Sequence, residues 1–380
     1  MSFQLTGKNG IENGTMKLLV TLLLVSCSAG PLAAQESKAK NVVLFIADGG
    51  GVSSLSAASI YGYNKPNGLY VQSTPHLELA DTSTASAWIP DGTASATAWA
   101  TGVKSNNGIV AQSASAFSGV RDGDNLKTIL EYAEEKGLST GVISNDFPTG
   151  VASGLVSSFY AHHNDRMKSG QILNQILTPK YGHGIDLVIG TGKSRIVQQQ
   201  KLDGVDIIAK LKEKFAYVES LDQVAALSDN NSPLVMLTDD IDFSITEATR
   251  LAIARLSRNP KGYFLVVFTE SHLREPQKDL ARIVEIDKAV RETEVGHEND
   301  TLSLFTADHG FFLLMRGEHL SENHKSDSGA DVLKLISLED EHTGDAVPLL
   351  AIGPGAERVH GYMSNTDVFE VMMSAYGWSK

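Results

Sequence analysis

Cysteine is almost missing from this chain. The single one, Cys27, lies so close to the start that the body of the protein cannot hold an intrachain disulfide. Positive charge is also scarce: 32 Lys and Arg stand against 45 Asp and Glu, giving a net charge of −13 and a pI near 5.3. No basic cluster is available to neutralise a phosphate backbone, which excludes nucleic acid as the expected partner. Small phosphorylated substrates remain compatible, because a few local cations or metals can reverse the field inside one pocket. Long apolar runs are missing too, and no internal repeat or low-complexity tract marks a second domain. What is present is 380 residues with 42% hydrophobic content, enough for one large α/β core.

The start of the chain reads as a processing signal. Residues 1–15 are polar, and Met16-Lys17 then precedes the apolar run Leu18-Leu19-Val20-Thr21-Leu22-Leu23-Leu24-Val25, too short for a stable membrane anchor. Two readings stay open. Leu24-Val25-Ser26-Cys27 resembles a bacterial lipobox, which would make Cys27 the lipid-anchored mature N-terminus, whereas Leu32-Ala33-Ala34 offers small residues to an ordinary signal peptidase. Residues 1–34 are thus expected to be extension and signal, and 35–380 a single exported domain, periplasmic or attached to the envelope. An exported body without disulfides must rely on core packing, with metals as a further source of stability.

Three buried strands are expected to end in acids. Asn41–Ala47 runs into Asp48, Gly262–Thr269 into Glu270, and Leu302–Ala307 into Asp308-His309. In open α/β sheets ligands gather at such strand ends. Taken singly, each acid also suits ordinary turn chemistry. Together with His342 they form a candidate divalent-metal site, and an adjacent Asp and His can offer oxygen and nitrogen to one cation. Apolar spacing places helices across 125–136, 205–215, 244–257 and 276–294, with a strand at Thr140–Ser144 between the first two. The alternation predicts a three-layer αβα domain with a mainly parallel central sheet.

The stretch from Ile89 to Lys104 has the form of a loop entering a helix of very small residues, with Asp91 as N-cap. It resembles the nucleophile segment of the alkaline phosphatases, an Asp-Ser followed by small residues, Thr-Ala, and shortly Thr-Gly-x-Lys. The family's nucleophilic serine falls on Gly92. Further segments resemble the same family in the same order. They are the first strand with Asp48, the Ala161-His162 pair four residues before Arg166, the strand ending at Glu270, Thr306-Ala307-Asp308-His309, His342 before its strand, and Asn365-Thr366-Asp367 opening the last helix.

The resemblance spans about residues 40–378, and it implies the fold, zinc and magnesium as cofactors, and hydrolysis of small phosphate monoesters. It implies that Asp48, Asp308 and His309 hold one metal and His342 helps hold a second. Glu270 with Asp48 would take magnesium or position a water, and Arg166 with the helix start at Asp91, Gly92 and Thr93 would bind phosphoryl oxygens. A homodimer is a further expectation. The family's loop after the Glu270 strand is shortened here to Ser271-His272-Leu273-Arg274-Glu275, so His272 is the one imidazole available to replace a missing aspartate and histidine pair. If it does so, His272 and His342 should lie within about 8 Å of each other, given metal–nitrogen distances near 2.1 Å.

Four readings follow from Gly92. Thr93 could be the nucleophile, one residue on, about 100° around and 1.5 Å along a helix. A hydroxide activated by metal could attack directly. The protein could bind phosphate or metal without turnover, or act on sulfate esters or phosphodiesters. Serine is well tolerated at helix starts, so Gly92→Ser is expected to fold normally and raise activity.

Overall fold

The computed structural model describes residues 38–227, 232–297, 299–316 and 328–380. The described residues fall in one compact unit running from Glu36 to Lys380. Cys27, the apolar run and both processing sites lie outside them. Among the described residues no helix is long and apolar enough to cross a membrane.

Among the described residues there are twelve strands: β1 (Asn41–Ala47), β2 (His76–Ala80), β3 (Ser139–Ser144), β4 (Leu187–Gly190), β5 (Ala216–Val218), β6 (Leu234–Leu237), β7 (Tyr263–Thr269), β8 (Thr301–Thr306), β9 (Gly310–Met315), β10 (Ile336–Thr343), β11 (Val347–Ile352) and β12 (Tyr362–Met363). Ten form one sheet in the order β12-β2-β11-β8-β1-β7-β3-β4-β6-β5, and β9 and β10 form a separate ribbon. Only β11 runs antiparallel to its neighbours, β2 and β8. The domain is the expected three-layer αβα fold with a mainly parallel sheet.

The buried runs build this sheet because both faces are covered. Along β1, Val42, Leu44 and Ile46 enter one hydrophobic cluster, and Val43, Phe45 and Ala47 enter the other. The first cluster contains Ala96, Trp99 and Ala100 of helix α2 (Gly92–Thr101) and the inner face of the Asp367–Tyr376 helix. The second contains Leu55, Ala57 and Ala58 of helix α1 (Val52–Tyr63), together with the Ile245–Leu256 and Pro276–Glu294 helices. The first predicted helix begins later than periodicity placed it, at Ile129, because Thr128 and Glu131 close a reciprocal capping box there.

Register carries the three acids to one level. Ala47 pairs with Thr269 and Ile46 with Thr306, so one or two residues further on Asp48 sits between Glu270 and Asp308. At the opposite end of the same three strands, Asn41 acts as a pin. Its Nδ2 donates to Thr301 Oγ1 at 3.0 Å, and its Oδ1 accepts from Tyr263 N at 3.2 Å. Asn41 is buried, so Asn41→Ala strands partners on both neighbouring strands. The expected loss is about 1–3 kcal/mol of unfolding free energy, read from urea melts with unchanged far-ultraviolet circular dichroism. A variant as stable as the parent would show that the pin carries no load.

Candidate metal and phosphate site

At the C-terminal ends of β8, β1 and β7 the structure gathers all six residues read from the sequence as metal ligands. Among the described residues three groups could each hold a cation: Asp48, Asp308 and His309; Asp48, Glu270 and His272; and His272, His309 and His342. Within each, the ligand atoms lie within 4.8 Å of one another. A tetrahedral cation with ligands at 2.1 Å needs them about 3.4 Å apart, so the groups must close slightly to take one. His272 and His342 have ring centroids 5.3 Å apart, inside the separation a shared ion demands, and His309 stacks on His342 at 3.5 Å.

The loop after Glu270 explains how His272 gets there. Leu273 adopts a left-handed backbone (φ 59°) while its side chain is buried in the core. A branched residue rarely takes this conformation. The anchored leucine turns the short loop so that His272 faces back toward β1. His342 arrives by another route, in the β9–β10 ribbon opposite Phe311.

The electrostatics of the cluster require positive charge. His272 lies between two carboxylates, with Nδ1 at 2.5 Å from Glu270 Oε1 and Nε2 at 3.0 Å from Asp48 Oδ1. Burial opposes its charge, yet Asp48 and Glu270 hold its pKa up to about 12. Burial, and then the neighbouring Asp308, push Asp48 up to about 7. Burial also opposes ionisation of Asp308, but His309 pulls it well below the usual carboxylate range.

The imidazole hydrogen bonds set which nitrogens are free. His309 Nδ1 faces Gly310 O at 3.1 Å and His342 Nδ1 faces Pro90 O at 3.2 Å. A carbonyl only accepts, so both Nδ1 atoms carry hydrogen. In the neutral tautomer each Nε2 is then a lone pair available to a ligand. His342 is held neutral, its pKa pushed down to about 4 by burial and by His309. His309 Nε2 lies 3.1 Å from Asp308 Oδ2 and 3.4 Å from Asp48 Oδ1. These three atoms and His272 Nε2 are buried without a hydrogen-bond partner. Buried oxygens and imidazole nitrogens whose contacts are only with one another fit divalent cations: the three-histidine group suits zinc, and the group of Asp48, Glu270 and His272 suits magnesium.

Helix α2 supplies the opposite wall. Asp91 caps it, accepting from Ala94 N at 2.9 Å. Its other oxygen accepts from Gly108 N at 2.8 Å and from Arg166 Nη1 at 3.0 Å. One carboxylate thus fixes both the helix start and the arginine. The cap region docks on β8 through Ser95 Oγ, which donates to Asp308 O at 2.7 Å.

Space around Gly92 and Thr93 is tight. A Cβ on Gly92 would stand 2.7 Å from Asp308 Oδ2 and 2.9 Å from Leu155 Cδ1. This corrects the expectation that serine fits freely at this position: the helix start permits it, but Asp308 and Leu155 must move. Thr93 Oγ1 points elsewhere. It would lie only 2.1 Å from a Cβ on Gly154, and it has no hydrogen-bond partner.

All ten sequence-derived residues lie at this site: Asp48, Gly92, Thr93, Arg166, Glu270, His272, Asp308, His309 and His342 line one cleft of about 310 Å³, and Asp91 lies behind it. Sequence reading missed Asp146, which follows β3 and also lines the cleft. Burial and the neighbouring Glu270 raise its pKa to about 7. The signal was available, since β3 reaches an acid two residues past its end, as β8 does. Asn145 was missed as well; its Oδ1 accepts from Glu270 N at 2.8 Å and holds that strand end in place.

The family model described as Alkaline phosphatase matches residues 39–335. The chain is 26% identical to the alkaline phosphatase of Escherichia coli K12 over 424 residues, covering 90% of this chain and 87% of that one. It is 25% identical to the human tissue-nonspecific isozyme of alkaline phosphatase over 405 residues, covering 89% of this chain and 75% of that one. Its fold is similar to that of the alkaline phosphatase from the Antarctic bacterium TAB5, with a TM-score of 0.75 and 22% identity over 90% of this chain and 100% of the other.

Asp308→Ala removes an oxygen from the Asp48–His309 group and is expected to lower bound metal by at least one equivalent per chain, measured by elemental analysis after dialysis against zinc and magnesium. Full metal content in a folded variant would remove Asp308 from the ligand set.

Proposed function

The chain belongs to the alkaline phosphatase family, and from that premise we propose that it hydrolyses small phosphate monoesters in a divalent-metal-dependent reaction with water, not a side chain, as the nucleophile. The observation that carries this reading is the set of buried, unpartnered atoms of Asp48, Asp308, His309 and His272 facing the start of α2 across one cleft. Zinc at the histidine-rich group and magnesium near Asp48, Glu270 and Asp146 are the cofactors the donor sets favour. When bound, such cations supply charge to the transferring phosphoryl group and lower the pKa of a water molecule.

The chain's own residues do the rest. Arg166 presents a planar fork to two phosphoryl oxygens, and its contact with Asp91 sets the direction of that fork. The first N–H groups of α2, at Gly92 and Thr93, are free of intrahelical partners and favour a third oxygen. Position 92 is the one that faces Asp308, and it carries no hydroxyl that could attack. Thr93 Oγ1 lies against Gly154, on the Arg166 side of the helix start, whereas position 92 faces Asp308. Action at the cell envelope belongs to this reading and rests on the apolar run Leu18–Val25.

The test is turnover of p-nitrophenyl phosphate, abolished by chelation and restored by zinc with magnesium, beside p-nitrophenyl sulfate and bis(p-nitrophenyl) phosphate as competing substrate classes. Thr93→Ala should retain activity within about fivefold, whereas loss of a true nucleophile costs several orders of magnitude. Arg166→Ala should lower kcat/KM about a hundredfold, about 2.7 kcal/mol of transition-state stabilisation. Preference for the sulfate or the diester would replace the substrate class. Bound metal with no turnover of any ester would make the chain a phosphate- or metal-binding member of the family.

A further inference from the structure

Three arginines line the cleft: Arg166, Arg195 and Arg274. Two of them are paired, Arg166 with Asp91 at 3.0 Å and Arg274 with Asp340 at 3.1 Å. Arg195 has no carboxylate partner among the described residues. Its one hydrogen bond there runs from Nη1 to Gln198 Oε1 at 3.0 Å, and its Nε is buried with no partner. The nearby carboxylate is already engaged: Asp239 accepts from Ser194 N at 2.8 Å and from Ser194 Oγ at 2.6 Å. A guanidinium keeps its charge at any ordinary pH and offers five donors, so Arg195 brings a cation with free donors, and no ion pair among the described residues, to the cleft wall.

The surroundings of Arg195 are not those of the metal cluster. Arg195, Phe147 and Pro148 line both the main cleft and an adjoining hollow of about 390 Å³. Phe147 is 64% exposed, and Met167, beside Arg166, is 52% exposed. Large apolar side chains rimming a charged cleft suit the carbon body of a ligand, and the free guanidinium suits an anion carried on that body.

We infer that Arg195, with Phe147 and Met167, forms a leaving-group subsite that selects phosphate monoesters bearing a second anionic group, a phosphate or a carboxylate, on an apolar or ring-shaped alcohol. The inference rests on the phosphatase reading and names its substrate class. Arg195 is a specificity residue: it grips the part of the ester that departs, while Arg166 grips the part transferred.

Phenyl phosphate, 4-carboxyphenyl phosphate and 1,4-phenylene bisphosphate share one ring and differ in the second anion. On Arg195→Ala, KM for at least one doubly charged ester should rise at least tenfold more than KM for phenyl phosphate, with kcat changing less than threefold. Whichever ester shows the larger rise identifies the second anion as carboxylate or phosphate. Arg195→Lys should recover part of the loss, and Arg195→Met, which keeps the aliphatic stem, replaces the alanine variant if that one fails to fold. Equal changes on all three esters, or none, would overturn the inference. Calorimetric binding of phenylphosphonate and 1,4-phenylenebisphosphonate gives a readout without turnover. Wild-type protein that binds both but hydrolyses no ester contradicts the phosphatase reading. Failure of Arg195→Ala to weaken the bisphosphonate selectively contradicts the subsite alone.

Discussion

Asp48, Glu270 and Asp308 are buried at the ends of adjacent parallel strands, with Asp48 between the other two and its carboxylate within 4.8 Å of each. Removing ionised carboxylates from water is costly, and placing them side by side adds repulsion that low-dielectric surroundings barely screen. A core packed for stability alone would not keep them. In the described structure His272 and His309 supply the counter-charge, His272 wedged between Glu270 and Asp48 and His309 against Asp308 and Asp48. In these contacts Asp48 Oδ1, Asp308 Oδ2 and the Nε2 atoms of His272 and His309 have no hydrogen-bond partner, and they are the ones a divalent cation would use. The strand register, the left-handed Leu273 and the ribbon carrying His342 all serve to hold acids and imidazoles at this one edge.

The second constraint is closeness. Helix α2 is buried along its whole length and made almost entirely of small residues, which lets its start lie against Asp308 on one side and Gly154 on the other. That closeness changes the meaning of Gly92. A side chain there would point at the Asp308 carboxylate, so the position that faces the cluster carries no side chain, and the hydroxyl one residue on lies against Gly154. The Asp91 that caps this helix also orients Arg166, so the helix start and the guanidinium are fixed by one carboxylate.

Much of this was legible in the chain. Buried strands running into acids gave the sheet edge, and the Asp-His pair after β8 and the N-cap before α2 could be read from residue types and spacing. Other features were not, for physical reasons. The fit at Gly92 depends on where Asp308 and Leu155 stand, which local propensity does not encode. That Arg195 lacks an ion pair, while Asp239 of the same hollow accepts from Ser194, 45 residues away in the chain, is a matter of tertiary placement. Asp146 could have been found, since it follows β3 much as the other acids follow their strands, but its intervening Asn145 hid the pattern.

The most direct measurement of the central claim, that the acid and imidazole cluster is a metal centre, is anomalous diffraction at the zinc edge from crystals of the protein equilibrated with zinc. The account predicts a peak about 2.0–2.2 Å from Asp308 and from His309 Nε2, with the His309–Asp308 ion pair replaced by coordination. Saturating zinc that leaves no peak at the ends of β8 and β1, with His272 and His309 still paired to their carboxylates, would contradict it.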